Sequence, residues 1–300
     1  MHGVGISRPA LLDARGLTDA AAPDVGAQVA AALREDIGAG DVTALLVAAS
    51  QEVYARVITR EDAVLCGTAW ANESFRLLDP AIRLTWHAHD ADAVQANALL
   101  VEIQGHARGV LTGERTALNF LQTLSGTATT TRRYVEAVAG TGCTILDTRK
   151  TLPGLRSAQK YAVRCGGAQN HRIGLFDMFL VKENHIAAAG SLGAAVSAAR
   201  RQRPDLKVEV EVETLAELEQ AFAAAPDIIM LDDFAQADLA QAVARNRARR
   251  EPVKLEASGG VSLETVRAIA ASGVDYISIG ALTKHVRAID LSLRLEFRGS

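Results

Sequence analysis

The segment KVEVEVET, residues Lys207–Thr214, alternates valine and glutamate without interruption. Side chains alternate between the two faces of a β-strand, so the valines share one face and Glu209, Glu211 and Glu213 share the other. An edge strand would leave the glutamates in water, but another strand-like run begins at Ile228. We therefore expect a strand inside a sheet, with the valines packed on helices and the glutamates pointing inward, where they need cations or a metal.

On both sides of this strand, short β-rich runs alternate with alanine-rich helical stretches from Cys143 onward. Strand alternating with helix is typical of parallel βαβ units. About six or seven such units in roughly 140 residues suit a closed or nearly closed barrel, with an open doubly wound sheet as the alternative. The predicted strands are Thr144–Leu146, Phe179–Val181, Val208–Val212, Ile228–Leu231, Lys254–Ala257 and Tyr276–Ile279, and helices are predicted at Leu192–Arg201, Leu215–Ala224 and Leu263–Ala271.

The first half of the chain has a different order, with several strands before its long helices. A helix is predicted from Val25, because Val29, Leu33 and Ile37 recur every four residues. Helical spacing returns later in two stretches, one before and one after Gly126. Because 300 residues are twice the roughly 150 expected per domain, this half is predicted to be a separate α+β domain. Its predicted strands cover residues 53–59, 82–86 and 99–103.

The composition excludes several classes of protein. With 49% hydrophobic and 22% charged residues the chain is not disordered, and a net charge of −3 argues against a nucleic-acid binder. The first residues carry no signal-peptide pattern, and no apolar run reaches the ~18 residues that span a membrane. Cys66, Cys143 and Cys165 form neither a metal pattern nor a disulfide framework, so we expect the cytoplasm, with the last two thiols packed inside.

Each predicted barrel strand ends in polar residues, and such ends converge on one mouth of a parallel barrel. The charges there are divided by sign along the chain. Residues 147–185 hold seven Lys and Arg against three acids, whereas residues 205–238 hold ten acids and one lysine. We therefore expect a site in which cations face carboxylates. The strand-end groups are Asp147–Lys150, Lys182–His185, Asp232–Asp233, Ser258–Gly260 and Gly280.

These residue types indicate a polyanionic substrate and Mg²⁺. Arginines bind carboxylate or phosphate with two hydrogen bonds each, and lysines add point charges. Glu211 and Asp232 are hard oxygen ligands, suited to Mg²⁺ or to sugar hydroxyls. The Ser258–Gly260 turn, before the helix predicted from Leu263, could offer backbone N–H groups to a phosphate, with an ordinary tight turn as the alternative. Its place at the end of a late barrel strand favours the phosphate site. The cations expected to bind the anion are Arg149, Lys150, Arg172 and Lys182.

Several long blocks of the sequence resemble the quinolinate phosphoribosyltransferases, the decarboxylating nicotinate-nucleotide pyrophosphorylases. They keep their order from Glu114 to Thr283, and LREDIGAGDVT (Leu33–Thr43) is similar as well. The match is specific, because charged site residues stand in place within long blocks. The blocks are ERTALNFLQTLSGTAT (Glu114–Thr129), DTRKTLPGLR (Asp147–Arg156), GGAQNHRIGLFDMFLVKENH (Gly166–His185), VEVEVETL, IIMLDDF, LEASGGV and ISIGALT.

The resemblance implies an α/β fold with two domains. An N-terminal α/β sandwich would cover residues 1–125 and be joined by the C-terminal tail, residues 286–300. An incomplete, about seven-stranded α/β barrel over residues 126–285 would carry the active site. The resemblance also implies a homodimer or a hexamer, in which Arg115 of one subunit reaches the site of the other. No nucleic-acid or membrane partner is expected.

The activity that the resemblance implies is a pentosyl transfer in NAD biosynthesis. Quinolinate and phosphoribosyl pyrophosphate (PRPP) would give nicotinate mononucleotide, pyrophosphate and CO₂, with Mg²⁺ as the cofactor. Lys150, Lys182, Glu211 and Asp232 would be catalytic, and the two acids would hold Mg²⁺ directly or through PRPP. The substrate-binding set would be Arg115, Thr148, Arg149, Lys150, His171, Arg172, Lys182, Glu211, Asp232, Ser258, Gly259, Gly260 and Gly280.

Two other functions stay open on the sequence alone. A barrel aldolase or lyase could use Lys150 or Lys182 as a Schiff-base nucleophile. A non-catalytic metabolite-binding protein could keep the anion site, although it would gain nothing from Glu211 and Asp232. His185 is expected to be structural, bonded to backbone or to a carboxylate.

Overall fold

The computed structural model describes residues 22–297. Residues 1–21, where no secretion signal is expected, and residues 298–300 of the predicted tail lie outside this range. The helices are α1 (Val25–Ile37), α2 (Thr68–Leu78), α3 (Ala107–Ala137), α4 (Arg156–Cys165), α5 (Glu183–Ala189), α6 (Leu192–Gln202), α7 (Leu215–Ala224), α8 (Gln236–Arg247), α9 (Val266–Ala271) and α10 (Ala281–Lys284). The strands are β1 (Glu52–Thr59), β2 (Ala63–Val64), β3 (Arg83–Trp86), β4 (Ala93–Val94), β5 (Leu99–His106), β6 (Thr144–Leu146), β7 (Phe179–Val181), β8 (Val208–Val212), β9 (Ile228–Asp232), β10 (Lys254–Ser258), β11 (Tyr276–Ser278) and β12 (Leu291–Phe297).

The N-terminal half forms an antiparallel sheet in the order β12-β1-β5-β3. β1 pairs with β5 on one side and β12 on the other, so a strand near the end of the chain completes this sheet. Alternate residues of β1, Val53, Ala55 and Val57, are buried in one apolar cluster with residues of α2 and α3. This alternation confirms the strand predicted at residues 53–59.

The two helical stretches predicted before and after Gly126 form one helix, because α3 runs through this glycine for 31 residues in all. A Cβ built on Gly126 would lie only 2.1 Å from the carbonyl oxygen of Arg287. The glycine therefore lets the chain before β12 cross the helix closely, rather than ending the helix. The predicted domain limit at residue 125 falls inside α3, and both domain limits stay a prediction. Neither α3 nor another helix of residues 22–297 is long and apolar enough to cross a membrane.

The second sheet has six parallel strands in the order β6-β11-β10-β9-β8-β7. β7 to β11 follow one another in chain order, and β6, the first of the set, lies beyond β11. This is the order of a barrel, whereas a doubly wound sheet reverses direction in its middle. An isolated parallel bridge from Leu146 to Gln169 adds a seventh, single-residue strand position beside β6. In the described chain β6 and β7 do not pair with each other, so the barrel stays open between them. The incomplete barrel is confirmed.

The side chains of β8 alternate between the two faces of the sheet, as the sequence predicts, from Val208 to the end of the strand at Val212. Its three valines are buried in the apolar cluster shared with α6, α7 and α8, and Glu209 is fully buried on the opposite face. The expectation for Glu213 is wrong, because β8 ends at Val212 and Glu213 is exposed. Its backbone N–H donates to Glu217, whose carboxylate also forms a capping box with Thr214 at the start of α7.

Candidate active site

The carboxyl ends of the parallel strands bring the predicted site residues to one mouth. Asp232 ends β9 and Ser258 ends β10, and the two are direct neighbours in the parallel register. Glu211 lies on β8 beside Met230 of β9. Lys182 follows the last residue of β7 and is the N-cap of α5. The mouth thus gathers one group from each of four adjacent strands.

Lys182 and Glu211 form an ion pair across the mouth through Nζ and Oε2. The Lys182 side chain is 43% exposed and that of Glu211 12%, so the pair stands at the boundary between interior and solvent. This pair is one instance of the expected arrangement, in which cations of the mouth face carboxylates. His185 accepts a hydrogen bond from the Lys182 backbone N–H at Nδ1 (3.1 Å), which is the bond to backbone expected for this histidine.

Arg149 and Arg172 form the cationic side of the mouth. Burial, followed by the charge of Arg149, lowers the pKa of Arg172. The Nε of Arg149 is buried without a hydrogen-bond partner, and neither guanidinium forms an ion pair within residues 22–297. Two guanidiniums that repel each other and form no direct ion pair are suited to an anion with more than one negative group.

Lys150 lies over Gly280 on the same side of the sheet. A Cβ built on Gly280 would be 3.0 Å from Cδ of Lys150 and 3.7 Å from Oγ1 of Thr148. Thr148 Oγ1 accepts the Lys150 backbone N–H at 3.1 Å, and Thr283 Oγ1 donates to the Lys150 carbonyl at 2.8 Å. Thr148, Lys150 and Gly280 are therefore brought together, as the sequence analysis predicted for one mouth. Gly280 is the N-cap of α10.

The Ser258–Gly260 turn is held by Asp233 rather than by a helix. The Asp233 N–H donates to the Ser258 carbonyl at 3.0 Å, and a Cβ on Gly259 would be 2.0 Å from Asp233 Oδ1. Gly259 and Gly260 have φ values of 92° and 54°, which favour glycine. The expected helix start at Leu263 is wrong: α9 begins at Val266, so the turn does not stand at a helix N-terminus.

The floor of the mouth contains a buried cluster of His171, Glu209 and Glu256. His171 Nε2 shares a hydrogen bond of 2.8 Å with Glu209 Oε2 and lies 3.6 Å from Glu256 Oε2. Burial lowers the pKa of His171, and it raises the pKa of Glu209 to about 7 and that of Glu256 to about 8. The sequence analysis missed Glu256, although Leu255, Glu256 and Ala257 alternate in β10 just as the valines and glutamates do in β8.

Two groups of side chains in the described chain come close enough to hold a metal ion. The first is His171, Glu209 and Glu256, where all three residues are inside the barrel and burial raises the pKa of both carboxyls. The second is Cys66, Asp90 and Cys165, where Asp90 already accepts from the N–H groups of residues 67 and 68 and from Tyr161 Oη. Asp90 thus caps α2, and Cys165 is buried, as predicted.

Arg115 is the one predicted site residue that this chain does not bring to the mouth. It is exposed on α3, in a stretch whose inward residues, Ala117 and Leu118, pack in the N-terminal cluster. Within residues 22–297 it forms neither a hydrogen bond nor an ion pair with a residue of the mouth. The described chain therefore shows no contact of Arg115 with the mouth of its own subunit.

Comparison with known proteins gives matches over nearly the whole chain. Residues 41–125 match the N-terminal domain model of quinolinate phosphoribosyl transferase, and residues 127–294 match its C-terminal domain model. The nicotinate-nucleotide pyrophosphorylase (carboxylating) of Mycobacterium leprae is 44% identical over 271 residues, 88% of this chain and 94% of its own. The chloroplastic enzyme of that name from Arabidopsis thaliana is 40% identical over 294 residues, 91% of this chain and 83% of its own. The structure of the nicotinate-nucleotide pyrophosphorylase from Francisella tularensis superposes with a TM-score of 0.87 at 48% identity, covering 94% of this chain and 98% of that one.

Proposed function

The chain belongs to the quinolinate phosphoribosyltransferase family, and we propose that it joins quinolinate to PRPP, giving nicotinate mononucleotide, pyrophosphate and CO₂ for NAD biosynthesis. Membership of a family of phosphoribosyl transferases argues against both alternatives, the Schiff-base aldolase and the non-catalytic binding protein.

The observation that carries this proposal is a pair of neighbouring guanidiniums that form no direct ion pair within residues 22–297, Arg149 and Arg172. Quinolinate has carboxylates on two adjacent ring carbons, and each carboxylate can take two hydrogen bonds from one arginine. Binding of the diacid would relieve the repulsion between the arginines. Lys150 and His171 stand beside them and would complete the anion site.

PRPP would occupy the acidic side of the mouth. Glu211 and Asp232 would face its ribose, and the Ser258–Gly260 turn with Gly280 would receive its 5-phosphate. The same two carboxylates fit Mg²⁺, because they are hard oxygen donors on neighbouring strands β8 and β9 and Mg²⁺ is usually held by one or two carboxylates together with substrate phosphates. The ion would neutralise charge on the pyrophosphate that leaves.

The residues of the mouth act by positioning and by charge. The ring nitrogen of quinolinate attacks the anomeric carbon as pyrophosphate departs, and positive charge develops on the ribose. The carboxylates of Glu211 and Asp232 stabilise that charge. Lys182, now paired with Glu211, would exchange this partner for a substrate anion. The pyridinium then accepts the electron pair left when the 2-carboxylate departs as CO₂, and a proton takes its place.

A second subunit would complete the site with Arg115. In support, Arg115 is exposed and forms no hydrogen bond or ion pair with its own mouth within residues 22–297. Val42, Leu45 and Leu46 are exposed apolar residues near one another in the chain, and Leu46 is 86% exposed. Such a group is typical of a surface covered by another chain. We propose a homodimer, alone or within a hexamer. All three cysteines are free thiols, which supports the reducing cytoplasm as its location.

Release of labelled CO₂ from quinolinate that carries the label in its 2-carboxylate tests the function. We expect release with PRPP and Mg²⁺ and none when PRPP is left out. Release without PRPP would indicate a decarboxylase, and binding of quinolinate without release would indicate a binding protein. Arg203→Ala, which removes an exposed partner of Asp205 far from the mouth, is the control for nonspecific effects.

A further inference from the structure

We propose that Lys160 is a positioning residue, whose buried ion pair with Asp147 holds the backbone of residues 170–172 and so fixes His171 and Arg172 in the mouth. This inference rests on the function proposed above, because it assigns both residues to the quinolinate site. It concerns a residue that does not reach the mouth itself.

The ion pair lies wholly inside the protein. The side chains of Lys160 and Asp147 are 1% and 0% exposed. Lys160 comes from α4, and Asp147 is the first residue after β6. Burial lowers the pKa of Lys160 and raises that of Asp147, so each charge would be costly without the other.

The pair holds both backbone groups of His171. Lys160 Nζ donates to the His171 carbonyl at 3.1 Å, and the His171 N–H donates to Asp147 Oδ1 at 2.9 Å. Asn170 adds two bonds, from Nδ2 to Asp147 Oδ2 at 2.6 Å and to the Lys160 carbonyl at 2.9 Å. Four hydrogen bonds from two other parts of the chain therefore converge on two consecutive residues.

Residues 170–178 are not held in place by a strand or a helix of their own. Gln169 forms an isolated bridge, and residues 170–178 have no regular secondary structure before β7 begins. At the far end, Asp177 accepts from the N–H groups of Ile173 and Gly174 at 2.7 and 3.0 Å. The loop is thus tied at both ends, and Arg172 stands between the ties.

A buried ion pair is weak evidence for stability, because apolar replacements of both partners often cost nothing. Positioning of the His171 backbone explains the Lys160–Asp147 ion pair better than stability does. Without Lys160 the His171 carbonyl loses its donor, and the backbone of 170–172 can move. Arg172 would then lose its place beside Arg149, and His171 its bond to Glu209. A displacement of about 1 Å suffices to reduce binding or catalysis strongly.

Steady-state kinetics of three variants separate position from stability. Lys160→Met leaves Asp147 as a buried unpaired charge, whereas Asp147→Asn/Lys160→Met removes both charges. Asn170→Ala removes two bonds and no charge, and it covers the case in which Lys160→Met does not fold. Val196→Ala is the matched control, a core truncation in α6 that lowers Tm away from the mouth.

We expect the KM for quinolinate to rise at least about tenfold in all three variants, with the KM for PRPP nearly unchanged. The double variant should regain part of the Tm lost in Lys160→Met but not the quinolinate KM, and Val196→Ala should lower Tm alone. A quinolinate KM that recovers together with Tm in the double variant, or that changes no more than the PRPP KM, overturns the proposal.

A spectroscopic readout keeps this test apart from that of the function. The His171 imidazole, identified in ¹⁵N-histidine NMR spectra by its loss in His171→Asn, should shift in the three variants and not in Val196→Ala. If the wild type shows no turnover but this pattern of shifts is found, the proposed function fails and the positioning role stands. An unchanged His171 signal in all three variants overturns the positioning role whatever the activity.

Discussion

Glu256 should make the protein less stable as the pH rises, and glutamine at this position should remove that effect. Burial, followed by the charge of Glu209, raises the pKa of Glu256 from 4.5 to about 8. Below pH 4.5 the group is protonated in the folded and the unfolded chain alike. Between pH 4.5 and about 8 the unfolded chain loses a proton that the folded chain keeps, so the free energy of unfolding falls as the pH rises.

The size of the effect follows from the two pKa values. At about 1.4 kcal/mol per pKa unit, the interval from 4.5 to about 8 amounts to about 5 kcal/mol when fully expressed. Relaxation of side chains and entry of water reduce such a burial penalty, so we expect Glu256→Gln to gain about 2 kcal/mol over wild type near pH 8.5. For a chain of this size, the gain corresponds to a Tm higher by about 4 °C. Below pH 4.5 the two proteins should be equally stable.

Scanning calorimetry of wild type and Glu256→Gln between pH 4.5 and 8.5 measures this difference. Glu219→Gln makes the same chemical change on the exposed side of α7, where Glu219 pairs with Arg245, and should follow the wild-type curve. If Glu256→Gln never melts above wild type at alkaline pH, the reasoning is refuted, because glutamine would then have relieved no buried carboxylate.

Three further predictions concern the mouth, the subunit contact and the long helix. Arg149→Ala or Lys182→Ala should lower kcat/KM at least about 100-fold in the CO₂ assay, and near-normal turnover in either variant would remove that residue from the proposed role. Arg115→Ala and Arg172→Ala should each be inactive but regain part of the activity when their subunits are mixed and reassociated, and a mixture that stays inactive would argue against a shared site. Gly126→Ala should lower the free energy of unfolding, measured with denaturant, by about 2 kcal/mol, because the alanine Cβ would meet the Arg287 carbonyl. Alanine has the better helix propensity, so the control Gly193→Ala in α6, which has open space around it, should be neutral or stabilising.

The alternation of residue types along the sequence predicted most of the barrel, because successive side chains of a β-strand point to opposite faces. It placed the valines of β8 on the helices and Glu209 inside. It failed at Glu213, since alternation does not say where a strand ends. The signal was present in Thr214 and Glu217, the ends of a capping box that starts α7. Glu256 lies between two apolar residues of β10, just as Glu209 lies between two valines of β8, so the same alternation also predicts that Glu256 points inward.

Other features depend on contacts between distant parts of the chain, and no local pattern contains them. Gly126 looks like a helix breaker in sequence, and only the passage of Arg287 shows why alanine does not fit. Lys160 counts in sequence as one cation among seven, and only the fold puts its ammonium between Asp147 and the His171 carbonyl. The likeness of the blocks to a family identified the mouth residues without showing what holds them in place.

The charge balance of the barrel explains why its mouth should select a dianion. Glu211 cancels one mouth cation through its ion pair with Lys182. In the floor of the mouth, burial raises the pKa of Glu256 to about 8 and keeps this carboxyl largely protonated at neutral pH. Glu209 and Glu256 together therefore carry less than two negative charges against the cations of the mouth. An ionised Glu256 would add negative charge to the floor beneath the site and so disfavour a diacid. Surplus positive charge for the substrate therefore remains on the three mouth cations that Glu211 does not pair with, Arg149, Lys150 and Arg172.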